Sequence, residues 1–358
     1  MMSTRISKEM WMEKPNISKT YVLIPAYEPV SDLINICQHL KTHTFAGIIV
    51  IDDGSSLASQ AIFDQLEADQ GIILLKHAHN QGKGAALKTG FRWLRKNAPD
   101  CTGVVTADAD GQHLVKDIVK VAEALATQPE TLAIGSRRFG KDVPFRSLFG
   151  NLVSRHVFKF LYGKLFTDTQ TGLRALPMRF VNEIVNMPYN GYEFEAECLV
   201  LAVQEKFKTQ EVEIGTVYLN NNATSHFNPI TDSLKIYYVF FRYLIMGLFS
   251  FLIDIGIFIS IYDSSHQLFT SLIIARIISS TFNFYKNQYL IYRSTSKKTA
   301  KKQAKRYLLF SASIFIISFI SIKLLLPIWH VPVLKIKVTV DIVLYVINFI
   351  LQRYLHIL

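Results

Sequence analysis

The sequence predicts an α/β domain built on a parallel sheet, followed by an all-α membrane domain of four helices. Two observations predict it. Between residues 20 and 136 short β-branched runs alternate with segments of helical spacing, and beyond Tyr237 the chain turns to Ile, Leu, Phe, Val and Tyr. A length of 358 residues accommodates two such bodies. The expected division is a tail over 1–19, an α/β domain over 20–235 and a membrane domain over 236–358.

The runs Tyr21–Ile24, Gly47–Ile51, Ile72–Leu75 and Gly103–Val105 are near-continuously apolar, as strands covered on both faces require. Segments 30–42, 57–69, 85–97 and 114–127 carry helical spacing between them. This alternation places ligands at the carboxyl ends of the strands, where the conspicuous polar residues fall. The first strand runs into Pro25-Ala26-Tyr27-Glu28-Pro29 and the second into Asp52-Asp53-Gly54-Ser55-Ser56. The third meets Asn80-Gln81-Gly82-Lys83-Gly84, the fourth Asp108-Ala109-Asp110-Gly111-Gln112-His113, and a fifth Gly135-Ser136-Arg137-Arg138. Any one of these is ordinary turn chemistry; five at one sheet edge exceed what turns need. At the end of a strand, Asp108, Asp110 and Gln112 can converge on one hard cation, Mg²⁺ or Mn²⁺, that bridges to phosphate oxygens.

Together these motifs resemble the inverting family-2 glycosyltransferases, within them the dolichyl-phosphate mannose synthase and bactoprenol (undecaprenyl-phosphate) glucosyltransferase group. The resemblance covers about residues 20–235 and implies a GT-A-type, Rossmann-like catalytic domain. It implies that Pro25, Tyr27, Glu28 and Asp53 hold the nucleoside, with Lys83 nearby, and that Asp108, Asp110 and Gln112 hold the metal on the diphosphate.

Residues 137–174 carry a second cluster with Arg137, Arg138, Arg146, Arg155, Asp168 and Arg174. Arginine suits bidentate capture of phosphate. Segment 145–163 interleaves Phe145, Leu148, Phe149, Leu152, Val153, Phe158 and Leu161 with these bases, the character of a helix at a lipid interface. In the resembled group this region receives the acceptor phosphate, which makes Arg137, Arg146 and Ser147 the acceptor candidates. Asp168-Thr169-Gln170-Thr171-Gly172 is similar to the family's element bordering the active site. The residues expected to carry the chemistry are Asp110, Arg137 and Asp168. The usual Glu-Asp pair of the family is absent near Tyr192-Glu193-Phe194-Glu195-Ala196-Glu197. An ionised lipid phosphate needs no base, whereas a sugar hydroxyl does. The polar stretch 220–229 is either a linker or, by resemblance, a loop closing on the donor through His226.

Four apolar segments, near 239–262, 268–291, 307–328 and 332–355, are each long enough to cross about 30 Å of hydrocarbon. Arg293, Lys297, Lys298, Lys301, Lys302, Lys305 and Arg306 lie between the second and third. The loop Asp263-Ser264-Ser265-His266 has no Lys or Arg. The positive-inside rule then puts the catalytic half in the cytoplasm at the plasma membrane. Arg242-Tyr243-Leu244 recurs as Arg306-Tyr307-Leu308, and Asn283-Phe284 as Asn348-Phe349, at offsets of 64 and 65. Two hairpins so related resemble the four-helix GtrA-like family. Asp254, Arg276, Lys323 and Asp341 are read as the ionisable residues within the spans, and the repeat places Arg276 and Asp341 at equivalent positions, where they are expected to pair.

The net charge of +11 suits a membrane surface or a phosphate-bearing substrate. No basic run with interleaved aromatics in the first half supports nucleic-acid binding. Cys37, Cys101 and Cys198 are scattered and lack metal spacing, so they read as reduced, buried thiols. No apolar h-region is seen at the N-terminus. The expected activity is metal-dependent hexosyl transfer from a nucleotide-sugar (UDP-glucose-like or GDP-mannose-like) to undecaprenyl or dolichyl phosphate, with inversion. The partners are donor, lipid acceptor and membrane lipids, and a homo-oligomer stays open. The rivals are transfer to a saccharide or lipid hydroxyl, and a lipid-sugar flippase or scaffold with an inactive transferase half.

Overall fold

The computed structural model describes residues 15–137, 145–215, 231–290 and 297–354. The chain divides into two compact units, Met1–Val239 and Phe240–Leu358, and the division falls inside one long helix.

The first unit is a seven-stranded sheet between helices. Its strands are β1 (Thr20–Ala26), β2 (Gly47–Asp52), β3 (Ile72–Lys76), β4 (Gly103–Thr106), β5 (Thr131–Arg137), β6 (Arg174–Pro177) and β7 (Lys208–Ile214). The helices are α1 (Asp32–Leu40), α2 (Gln60–Glu67), α3 (Lys83–Asn97), α4 (Val115–Thr127), α5 (Phe145–Tyr162), α6 (Met178–Ile184) and α7 (Glu193–Gln204). Strand β1 shows why the apolar runs are continuous. Val22 and Ile24 pack on one face with Leu33, Val50, Ile118 and Val121, while Leu23 packs on the other with Ile49, Phe91, Leu94 and Phe194. A strand covered on both faces has no polar side to show.

The sheet order is β3-β2-β1-β4-β6-β5-β7. The strands expected from the apolar runs are parallel to one another, and one strand not expected from the sequence makes the sheet mixed. Strand β6 lies between β4 and β5 and runs antiparallel to both. Four residues, Arg-Ala-Leu-Pro, are too short to register as an apolar run, and β7 alternates exposed and buried positions as an edge strand does. Because β6 reverses twice over, β5 runs parallel to β4, and the carboxyl ends of β1 to β5 reach the same edge.

The second unit is helical. It contains most of α8 (Thr231–Ser265), with α9 (Leu268–Leu290), α10 (Lys297–Trp329) and α11 (Val333–Tyr354). The stretches Leu244–Ser265, Leu268–Lys286 and Tyr307–Trp329 are long and apolar enough to cross a membrane. Helix α11 carries Lys335, Lys337 and Asp341 in its first half, which interrupt its apolar character. Phe258, Leu272, Ala275, Ile322, Ile336 and Val340 form the buried apolar cluster of this unit.

Candidate active site

The carboxyl edge of the sheet is held together by side chains that brace one loop against the next. Asp53, just past β2, is 3% exposed. Its carboxylate accepts the backbone N–H groups of Gln81 (3.0 Å) and Gly82 (2.8 Å) and meets His77 Nδ1 at 2.7 Å. The other ring nitrogen of His77 lies 2.9 Å from the Thr89 hydroxyl on α3. Asp53 therefore sets the turn that starts α3. Gly82 begins that helix with φ +97°, and a Cβ there would stand 2.5 Å from the Asn190 carbonyl oxygen, so only glycine serves. Glu28 plays a similar part between β1 and β2. Its carboxylate accepts the Ser56 N–H (2.6 Å) and the hydroxyls of Ser56 (3.1 Å) and Ser59 (2.9 Å).

That bracing delivers Lys83, the first residue of α3, to the end of β4. Its ammonium lies 2.6 Å from Asp108 Oδ1 and 3.0 Å from Glu195 Oε2, with the Tyr192 ring 5.6 Å away. His113 Nε2 meets the other Asp108 oxygen at 3.2 Å. Burial alone would push the Asp108 carboxyl up; the charges of Lys83 and His113 hold it well below the usual carboxylate range. Burial, and then the charge of Asp108, push the Asp110 carboxyl up. Burial likewise opposes the Lys83 charge, but Asp108 and Glu195 hold its pKa above the usual lysine value. Burial also pushes the Tyr192 phenol up to about 12. A carboxylate whose charge is disfavoured by burial and by its ionised neighbour makes a site that favours added positive charge. With the Gln112 amide, Asp108 and Asp110 are an oxygen donor set of the kind a hard divalent cation takes.

The wall behind Asp108 is the segment preceding β6. Thr106 donates to the Gly172 carbonyl at 2.8 Å, which lays Gly172 against the carboxylate. A few residues earlier in that segment, Asp168 is fully enclosed and grips Arg137 at the end of β5 through two N–H groups, one of them Nη2–Oδ1 at 3.0 Å. Asp168 Oδ1 also accepts the Gln170 N–H at 3.0 Å. Arg174 on β6 is buried and donates to the Thr171 and Glu195 carbonyls at 3.0 and 2.6 Å, which ties this segment to α7.

A glycosyl transferase family 2 model matches residues 21–183, and a GtrA/DPMS transmembrane-domain model matches residues 242–356. Over 236 residues the chain is 30% identical to the UDP-N-acetylglucosamine–dolichyl-phosphate N-acetylglucosaminyltransferase of Methanococcus voltae, covering 61% of this chain and 93% of that protein. The chain belongs to the family-2 glycosyltransferases. It is also 27% identical over 192 residues to the dolichyl-phosphate β-glucosyltransferase of Saccharomyces cerevisiae, covering 47% of this chain and 55% of that one. A solved structure of glucosyl-3-phosphoglycerate synthase from Mycobacterium tuberculosis, in complex with Mn²⁺, UDP and phosphoglyceric acid, is similar at 18% identity and a TM-score of 0.48. It covers 62% of this chain and 77% of that one.

In this family-2 glycosyltransferase the site residues expected from sequence fall into three groups. Asp108, Asp110, Gln112 and Lys83 come together at the end of β4, and Lys83 directly follows Gly82, whose N–H the Asp53 carboxylate accepts. Pro25 sits in β1 opposite Ile51, and Tyr27 follows at the same edge, 37% exposed. Asp53 and Glu28, expected to contact the nucleoside, have carboxylates that brace the loops of this edge, each tying the turn after β2 to its neighbours. Asp168, expected among the catalytic residues, is enclosed and its carboxylate grips the Arg137 guanidinium. Arg146 and Ser147 begin α5, but their side chains lie outside the described residues, as does His226 altogether. Sequence reasoning passed over His77, whose link to Thr89 depends on the folded sheet, and gave no role to His113, whose place beside Asp108 was readable from the motif. Cys37, Cys101 and Cys198 are free and buried, and burial pushes the Cys37 thiol up to about 12.

Proposed function

We propose that this membrane protein transfers a hexose from a nucleotide-sugar to a polyprenyl phosphate such as undecaprenyl or dolichyl phosphate, with inversion at the anomeric carbon. The observation that carries this reading is the pairing of the carboxylates around the site. Asp108 is bound to Lys83 and His113, Glu195 to Lys83, and Asp168 to Arg137. None of these three is set up to take a proton from a hydroxyl, which suits an acceptor that arrives already ionised. The names of the relatives support the same acceptor class, since two of them act on dolichyl phosphate.

In this reaction a phosphate oxygen of the lipid forms a bond to the anomeric carbon as the bond to the donor diphosphate breaks, and the nucleoside diphosphate leaves with both electrons. Lys83 neutralises charge on the departing diphosphate, and Asp168 holds the Arg137 guanidinium toward the incoming phosphate. Asp108, Asp110 and Gln112 would hold a divalent cation, Mg²⁺ or Mn²⁺, which supplies further neutralisation of the leaving group. Arg293 and the basic first turns of α10 (Lys297, Lys298, Lys301, Lys302, Lys305 and Arg306), set against a turn after α8 without Lys or Arg, favour a cytoplasmic catalytic unit, on the side where nucleotide-sugars are made.

A second reading, transfer to a sugar or lipid hydroxyl, is favoured by Glu193. One of its oxygens accepts the Gly191 N–H at 3.0 Å, while the other is buried with no partner. It borders a cavity of about 320 Å³ lined also by Tyr189, Leu234, Lys235 and Tyr238. One assay separates the readings. Purified full-length protein is incubated with radiolabelled nucleotide-sugars and undecaprenyl phosphate, with Asp110→Asn and Glu193→Gln in parallel. Incorporation into lipid that Asp110→Asn abolishes and Glu193→Gln spares is the expected result. No incorporation into undecaprenyl phosphate, with transfer to an added saccharide or lipid alcohol that Glu193→Gln abolishes, points to the hydroxyl acceptor, and no incorporation into either acceptor from any donor points to an inactive transferase half.

A further inference from the structure

Helix α3 carries two lysines whose ammonium groups act on neighbouring parts of one stretch of chain. Lys83 opens the helix and meets Asp108 and Glu195. Lys88 lies further along, 4% exposed, and its contacts are of another kind. It donates to the Met187 and Tyr189 carbonyls at 2.8 Å each and to Asn190 Oδ1 at 2.6 Å, all of them neutral oxygens. A lysine ammonium has three N–H groups, so this one is fully committed to the segment between α6 and α7. Burying a charge that only neutral groups serve is costly, and an apolar side chain would fill the same space at less cost. What the charge adds is a fixed place for residues 187–190.

That segment leads straight into the site. The Asn190 carbonyl accepts the Ala85 N–H at 3.0 Å, on the first turn of α3. It stands so close to this turn that a Cβ on Gly82 or Gly84 would lie 2.5 or 3.0 Å from its oxygen. The next residues are tied to one another, since Gly191 donates to Glu193 Oε1 at 3.0 Å and Phe194 to the Gly191 carbonyl at 3.3 Å. The Lys88 ammonium also lies 5.7 Å from the Phe194 ring. A braced path therefore runs from Lys88 through Asn190 to Tyr192 and Glu195, the two residues of α7 and its approach that meet the Lys83 ammonium.

We propose that Lys88 is a positioning residue of the transfer site, whose ammonium holds segment 187–190 on α3 and so keeps Tyr192 and Glu195 on Lys83. The proposal rests on the reading of Lys83 as the group that neutralises the departing diphosphate. Only the charged form has a proton for each of the three oxygens; the neutral amine has two. Burial, and then Arg92 on α3, bring the Lys88 pKa down from 10.5 to about 8, against the opposing pull of Glu193 and Cys198 on α7. The hold is complete while Lys88 is charged and loses one link as pH rises through about 8. The folded chain as a whole gains stability over the same range, because the cost of burying the charge is relieved.

Full-length protein in phospholipid nanodiscs is assayed with undecaprenyl phosphate and radiolabelled UDP-glucose, UDP-N-acetylglucosamine and GDP-mannose, at pH values well below and well above 8. Hydrogen exchange of peptides covering 187–195 is followed in parallel and corrected for the intrinsic rise of exchange with pH. Lys88→Met should lower kcat about 10-fold or more, leave the KM for undecaprenyl phosphate unchanged, and speed exchange in 187–195 but not in β1 and β2. Asn190→Asp puts a carboxylate against the ammonium, which favours its charged form. It should move both the alkaline fall in kcat and the loss of protection upward by about 1 pH unit or more. Asn190 is exposed, so this variant keeps the test decisive if Lys88→Met fails to fold. Wild type that transfers sugar to no lipid phosphate overturns the transfer reading by itself, and the exchange profiles then decide whether Lys88 holds the segment. Full kcat in Lys88→Met, or protection of 187–195 lost at the same pH in wild type and Asn190→Asp, overturns the assignment of Lys88.

Discussion

Gly172 lies so close to Asp108 that a Cβ on it would stand 2.5 Å from the carboxylate Oδ2. No side chain fits between them, yet the atom it would displace is the end of a side chain that can turn away. Gly172→Ala is therefore expected to leave the fold nearly unchanged and to swing Asp108 off Lys83 and His113. A misplacement of about 1 Å at a reacting centre costs on the order of 100-fold in rate. Sugar transfer by Gly172→Ala should fall by about that factor while the melting temperature moves little. A variant with full activity would show that the Asp108 position is not critical.

Asp168 and Arg137 make a second prediction. The carboxylate is enclosed and the guanidinium 14% exposed, so the pair points one way, with Arg137 toward the site. Asp168→Asn keeps the shape and removes the charge that fixes both N–H groups. The expected outcome is a rise in KM for the lipid phosphate of about 10-fold or more, with donor KM unchanged. Asp168→Ala, which leaves a buried cation alone, should also destabilise the chain by roughly 3–5 kcal/mol. Steady-state kinetics with donor and acceptor varied separately, beside thermal melts, read both effects.

These two relationships mark where sequence stopped being legible. The strands β1 to β4 could be read because burial on both faces leaves an unbroken apolar run, and the Asp108-Ala109-Asp110 motif could be read because strand geometry brings an i, i+2 pair together. Strand β6 could not, since four residues carry no period, and its antiparallel insertion is what carries the Asp168–Gly172 segment past Asp108 to Arg137. The loop-bracing contacts of Glu28 and Asp53 were hidden for a related reason. A carboxylate in a loop at a sheet edge looks the same in sequence whether it faces a ligand or a neighbouring N–H. Lys337 is different, because its spacing of four from Asp341 on an apolar helix was a usable signal that the overall hydropathy of the segment obscured.

Lys88 on α3 predicts a pH dependence of stability. Its ammonium is clamped by the Met187 and Tyr189 carbonyls, each at 2.8 Å, and by Asn190 Oδ1 at 2.6 Å. Burial, and then the nearby Arg92 charge, bring its pKa down from 10.5 to about 8. Between about pH 8 and 10.5 the unfolded chain thus holds a proton that the folded chain has released, so this residue makes stability rise with pH across that window. Below pH 8 both states are protonated and the penalty is constant. Lys88→Met removes the titration and leaves buried acceptors unpaired, at a cost of about 1–3 kcal/mol. Chemical denaturation at pH 7.5 and 9.5 should show the advantage of wild type over Lys88→Met growing with pH; an advantage that shrinks would contradict the assignment.

The ionic cluster of the membrane unit sets the last prediction. Arg276 pairs with Asp341 at 3.0 Å, as the repeat suggested, but Asp341 also holds Lys337, which in turn holds Asp254. For an isolated pair, exchanging the two residues restores the interaction. Here Arg276→Asp with Asp341→Arg would place a second cation against Lys337 and a second carboxylate against Asp254. The exchange should therefore fail to recover folded protein. Removing one charge of each sign is the change the geometry tolerates. Asp341→Asn alone leaves two cations facing one carboxylate, whereas Asp341→Asn with Lys337→Gln returns the cluster to balance around Arg276 and Asp254. Yield of monodisperse protein by size-exclusion chromatography should be low for Asp341→Asn and for the exchange, and near wild type for Asp341→Asn with Lys337→Gln. Recovery by the exchange would mean that Arg276 and Asp341 act as a pair and that Lys337 is a bystander.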